Sequence, residues 1–163
     1  MQTDTSESKK EHYLYPGMLF ASPHPHIVTT VLGSCISVCL WDSFLRAGGI
    51  NHYMLALWNG EGLPSPKYGN IAIPKLIEKM LGMGCRKENL QAKVFGGAAV
   101  IPSSGGLMQV GERNIALAEE MLQEERIPLV SLDVGGHVGR KLLFHSGSGE
   151  VFLKRLKGTR PEL

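Results

Sequence analysis

No stretch of this 163-residue chain is long and apolar enough to span a bilayer. The opening Met1 to Glu11 is polar and charged where a secretory signal needs an apolar core. Together these absences point to a cytoplasmic protein that does not insert in a membrane. Cysteine is scarce as well: three residues, at positions 35, 39 and 85, are too few and odd in number for a disulfide framework, so reduced thiols are expected. Neither sign of charge dominates, with 17 basic against 15 acidic residues. Lys154, Arg155, Lys157 and Arg160 alternate with apolar residues or lie in the terminal tail, which suits a solvated strand face better than a nucleic-acid surface. His24, His26, His52, His137 and His145 match no zinc spacing with the cysteines. Gly96-Gly97 and Gly135-Gly136 build neither a dinucleotide fingerprint nor a P-loop with its lysine. No metal and no cofactor are expected.

What the chain does have is enough apolar residue, 43%, to fill one core and too little length for two. Residues 1–12 read as a disordered polar tail and 13–163 as a single domain. Ile73, Leu76, Ile77, Met80 and Leu81 recur at helical spacing, with Asn70 as the cap and Pro74 in the first turn. A second helix is predicted from about Glu112 to Glu125, burying Ile115, Ala118, Met121 and Leu122. Strands are predicted at Ile27–Val31, Gln91–Gly96, Leu129–Val134, Lys141–His145 and Val151–Leu156. Two helices among many strands give a mixed α/β domain. Asn59 to Asn70, rich in Gly and Pro, reads as an irregular loop of the kind that borders binding sites.

The chemistry concentrates in Thr29-Thr30-Val31-Leu32-Gly33-Ser34-Cys35 and in Gly49-Ile50-Asn51-His52. A thiol becomes a good nucleophile when an imidazole takes its proton, so Cys35 and His52 together suggest acyl transfer. Cys35–Trp41 and Arg46–Leu55 read as a hairpin with Ser43-Phe44 at its tip; pairing Asp42 with Leu45 brings Cys35 opposite His52 on one sheet face. Gly48-Gly49 is a candidate bulge that would change that register. Gly33 and Ser34 fit a tight entry whose backbone amides suit an oxyanion. The competing reading is that Cys35 is a buried core thiol.

The segment Thr29 to Asp42, followed by Gly49-Ile50-Asn51-His52-Tyr53-Met54-Leu55, closely resembles the chemoreceptor glutamine deamidase family, CheD. Lys67-Tyr68-Gly69-Asn70-Ile71-Ala72-Ile73-Pro74, Ala92-Lys93-Val94-Phe95-Gly96-Gly97-Ala98, Val110-Gly111-Glu112-Arg113-Asn114 and Asp133-Val134-Gly135-Gly136 continue the resemblance in order. It covers about Tyr15 to Leu156, and departs at Ala56, where the family pattern has proline. The resemblance implies layered mixed β-sheets with two helices packed on one side. It implies Cys35 as nucleophile, His52 as general base and acid, and Thr29, six residues before the cysteine, as third member; Thr30 lacks that offset, and strand alternation sends the two hydroxyls opposite ways. The implied reaction converts glutamines of methyl-accepting chemotaxis receptors to glutamate with release of ammonia, through a thioester that would equally serve a glutamate methyl ester. The implied partners are those receptors and a CheC-type phosphatase. The alternative is a non-catalytic chemotaxis adaptor that binds either of them.

Overall fold

The computed structural model describes residues 10–99 and 106–157. In chain order the elements are β1 (Lys10–Tyr13), β2 (Leu19–Ser22), β3 (His26–Leu32), β4 (Ile36–Asp42), β5 (Ala47–Asn51), α1 (Gly69–Gly82), β6 (Leu90–Gly96), α2 (Gly106–Glu124), β7 (Leu129–Val134), β8 (Arg140–His145) and β9 (Val151–Arg155). A single 3-10 turn, Lys87–Asn89, leads into β6. Four strands form one sheet in the order β1-β3-β8-β9, and five form a second in the order β2-β5-β4-β6-β7. Both sheets are mixed, since β1 runs parallel to β3 and β7 parallel to β6 while the other pairs are antiparallel. Both helices pack on the five-stranded sheet. The expected layered α/β architecture is therefore the one observed.

The central strand β4 explains the layering. Ile36, Val38 and Leu40 point into a core shared with Ala72, Ile73, Leu76 and Met80 of α1 and with Ala118 and Leu122 of α2. Cys39, between them in sequence, joins Val28, Leu32, Leu142 and Phe144 of the other sheet in a second core. A strand covered on both faces reads as a nearly unbroken apolar run, as Ile36-Ser37-Val38-Cys39-Leu40 does. Gly48 and Gly49 are regular members of β5, paired with Trp41 and Leu40, and hold no bulge. They are glycine because both faces are crowded. A Cβ at Gly48 would meet Phe144 Cζ at 2.8 Å, and one at Gly49 would meet Leu76 Cδ1 at 2.9 Å.

Several expectations are corrected here. The polar tail does not reach residue 12, because Lys10–Tyr13 pairs with β3; residues 1–9 lie outside the described residues. β1 is exposed throughout, so no apolar alternation announced it. β2 is a half-buried edge strand of four residues, too short for a period. Asn70 does not cap α1: Tyr68 occupies that position without a side-chain bond, and Asn70 Oδ1 accepts from the Trp58 amide at 2.9 Å. Pro74 lies inside α1, beyond its first turn. The helix α2 begins at Gly106, well before Glu112.

The hairpin register also differs. Asp42 pairs with Ala47 and Cys39 with Ile50, around a four-residue turn rather than a two-residue one. Buried Asp42 makes that turn by accepting from the amides of Phe44 (2.8 Å) and Leu45 (2.9 Å), and Arg46 closes it at φ 56. Two added residues displace every pair by two positions. An even displacement preserves the face, so Cys35 and His52 stay on the same side of the sheet but diagonal to each other. Cys35 itself lies just before β4, and the bridge beyond the strands joins Ile36 to Tyr53. No helix among the described residues is long and apolar enough to cross a membrane.

Candidate active site

Cys35 sits on the turn between β3 and β4, where the chain leaves one sheet for the other. The turn is pinned from below by the end of β6: the Gly97 amide donates to the Cys35 carbonyl at 2.9 Å, and the Ala98 amide to the Gly33 carbonyl at 3.0 Å. That approach requires glycine at 96. Gly96 has φ 112, and a Cβ there would lie 2.1 Å from the Cys35 carbonyl oxygen. Buried Arg140 supports the same corner, its guanidinium donating to Asp133 Oδ1 and to the Gly135 carbonyl, each at 2.8 Å. The amides of Ser34 and Cys35 donate to no acceptor among the described residues, which leaves them available to an anionic oxygen.

Ser34 and Cys35 line a cleft of about 290 Å³ together with Met54, Leu55, Lys67 and Val110. Cys35 is only partly buried, unlike Cys39 and Cys85. Burial still raises the Cys35 thiol above its ordinary pKa, so the resting side chain is a thiol rather than a thiolate.

His52 follows β5 directly and is 2% exposed. It occupies the layer between the sheets, where Thr30 of β3 reaches it: Thr30 Oγ1 lies 2.7 Å from His52 Nδ1. The Thr30 hydroxyl proton is already committed, because Thr30 Oγ1 donates to the Leu14 carbonyl at 2.7 Å. The hydroxyl oxygen can therefore only accept from Nδ1–H, which leaves the lone pair of His52 on Nε2. A relay from His52 through Thr30 to Leu14 thus selects the tautomer that a general base needs. Burial pushes the imidazole pKa down from 6.5 to about 4, so His52 is neutral at physiological pH. Among the described residues no hydrogen bond joins the Cys35 thiol to His52. The resting pair is neutral on both sides.

Thr30, not the expected third member Thr29, is the threonine within hydrogen-bond distance of His52. The two occupy successive positions of β3, so their side chains leave opposite faces of the sheet. Thr30 is fully buried between the sheets with Val28 and Leu32, and Thr29 is half-buried. Apolar residues stand on both parities of His26–Leu32, so alternation could not show which threonine faces inward. Thr30→Val removes an acceptor for Nδ1–H and a donor to the Leu14 carbonyl. We expect turnover to fall roughly tenfold to a hundredfold, the equivalent of one or two buried hydrogen bonds. Thr29→Val is expected to stay within about twofold of wild type, since it breaks no contact with His52. Steady-state rates of the two variants side by side check this.

The depressed imidazole pKa has a consequence for stability. Between pH 6.5 and about 4 the unfolded chain binds a proton at His52 that the folded chain excludes, so stability is full above that window and declines as pH falls through it. Over the whole window the loss is on the order of 3 kcal/mol. Urea unfolding at neutral pH and near pH 4 should show wild type losing that much more than His52→Gln.

A mixed α/β domain of two stacked sheets thus holds a thiol in a cleft, amides beside it that donate to no acceptor among the described residues, and a neutral histidine held in its Nε2-basic form, the groups that acyl transfer through a cysteine uses. Comparison with known proteins supplies the family. A family model described as CheD chemotactic sensory transduction matches residues 56–155. The probable chemoreceptor glutamine deamidase CheD of Trichlorobacter lovleyi is 50% identical over 91% of this chain and 92% of its own length. That of Sulfurimonas denitrificans is 47% identical over 92% of this chain and 97% of its own, and that of Rhodospirillum rubrum 38% identical over 93% and 86%. The chain belongs to the CheD family.

Proposed function

We propose that this protein is a cysteine-dependent protein-glutamine deamidase. It converts glutamine side chains of methyl-accepting chemotaxis receptors to glutamate, releasing ammonia, and acts from the cytoplasm in chemotactic adaptation. The observation that carries this reading is the hydrogen-bonded relay that leaves His52 Nε2 basic on the sheet face shared with Cys35, in a chain half identical to a named deamidase over most of its length.

Because thiol and imidazole are both neutral at rest, activation is coupled to attack. As Cys35 Sγ bonds to the carboxamide carbon, its proton passes to His52 Nε2, and the carbonyl oxygen takes up negative charge opposite the amides of Ser34 and Cys35. Gly33, without a side chain, leaves room for that oxygen. Collapse breaks the carbon–nitrogen bond, and His52 returns the proton to the leaving ammonia. Water, losing a proton to His52, then opens the γ-glutamyl thioester to give glutamate and the free thiol. A glutamate methyl ester follows the same course with methanol as leaving group. Thr30 takes the place first assigned to Thr29, holding the ring and accepting charge density from Nδ1–H as the imidazolium forms.

Met54 and Leu55, exposed at the cleft, supply apolar surface for a protein substrate. The same surface suits a CheC-type phosphatase, which would then inhibit by competition, raising KM and leaving kcat unchanged. Release of ammonia from a receptor cytoplasmic fragment tests the proposal. Sustained release supports the deamidase; stable binding without release favours the non-catalytic adaptor.

A further inference from the structure

Asn114 has no part in the chemistry above, yet its side chain reaches the backbone on both sides of the cleft. It lies in the body of α2 and is fully buried. Its carboxamide nitrogen has two hydrogens and gives one to each of two carbonyls: Ser34 at 2.9 Å and Met54 at 3.0 Å. Ser34 directly precedes Cys35, Met54 follows His52 by two residues, and both line the cleft. The backbone of Asn114 is engaged as well, since the buried Tyr53 hydroxyl donates to its carbonyl. Tyr53 in turn exchanges backbone hydrogen bonds with Ile36, at 2.9 and 3.0 Å. One residue of α2 thus grips the chain beside the nucleophile and the chain beside the base.

The arrangement is costly for stability alone. Asn114 Oδ1 is buried without a partner among the described residues, and asparagine is a poorer helix former than alanine. Both costs would vanish in an apolar replacement, which would instead leave the Ser34 and Met54 carbonyls without this donor, so what the carboxamide uniquely supplies is the pair of donors. We infer that Asn114 is a positioning residue: it fixes the separation and orientation of the Cys35 and His52 segments, and with them the width of the cleft. This inference rests on the Cys35–His52 reading.

The test compares wild type, Asn114→Ala and Asn114→Ser in the full chain by three readouts: kcat and KM on a receptor fragment, the rate of Cys35 alkylation by iodoacetamide across pH, and the thermal midpoint. We expect kcat to fall roughly tenfold or more with KM held within about threefold. The alkylation profile should change without substrate present, and the thermal midpoint should move by only a few degrees. Serine, which offers one donor on a shorter side chain, should fall between alanine and wild type. Unchanged kcat and alkylation in a folded variant would overturn the inference. So would a raised KM at constant kcat, or loss of fold in both variants, which would make Asn114 a residue of stability only. Absence of turnover in wild type would sink the deamidase reading instead, and a changed alkylation profile would still support the positioning role.

Discussion

Cys35→Ala is expected to abolish conversion of glutamine to glutamate, a loss of roughly a thousandfold or more, while the fold and receptor binding persist. The thiol is only partly buried at the edge of the inter-sheet core, so its removal opens no large cavity. Cys35→Ser is the more informative variant. A hydroxyl is far harder to deprotonate than a thiol, and His52, with its pKa pushed down to about 4, is a weak base. Serine should therefore be nearly as inactive as alanine despite its similar size. Iodoacetamide should label wild type at Cys35, because Cys39 and Cys85 are buried. A serine variant with substantial turnover would show that the base is stronger than its burial implies.

His52→Gln is expected to lower kcat by about two to four orders of magnitude. Glutamine preserves much of the volume between the sheets but can neither take the thiol proton nor return it to ammonia. The pH profile separates this from simple misfolding. In wild type the base stays unprotonated until pH approaches 4, so activity should decline on the acid side only well below the ordinary histidine range. The variant should lose that limb. An acid limb centred near 6.5 in wild type would mean that substrate binding, or a more open site, restores an ordinary imidazole.

Much of this was legible in the chain. β7 was read at its observed bounds, β3, β6, β8 and β9 within a residue at either end, and the stripe Ile73-Leu76-Ile77-Met80 is the buried face of α1. Cys35 and His52 were placed on a common sheet face, although the pairing was displaced by two; the Asp42 turn could not be anticipated because its length depends on Arg46 adopting a positive φ. Which of Thr29 and Thr30 meets His52 is hidden from the sequence for a different reason. It depends on which face of β3 meets the second sheet, a tertiary fact, and both parities of that strand carry apolar residues. Asn114 stood in a quoted motif without a role, since its partners Ser34 and Met54 are distant in sequence and are backbone groups that leave no side-chain pattern.

In the proposed reaction Cys35 carries glutamine deamidation with His52 as its base. Site-by-site mass spectrometry of a chemoreceptor cytoplasmic fragment, incubated with wild type or with Cys35→Ala, tests it most directly. Glutamine-to-glutamate conversion is expected at a defined set of sites with wild type and at none with Cys35→Ala. Equal conversion by the two proteins would contradict Cys35 as nucleophile, and no conversion by wild type, with binding intact, would contradict the enzyme itself.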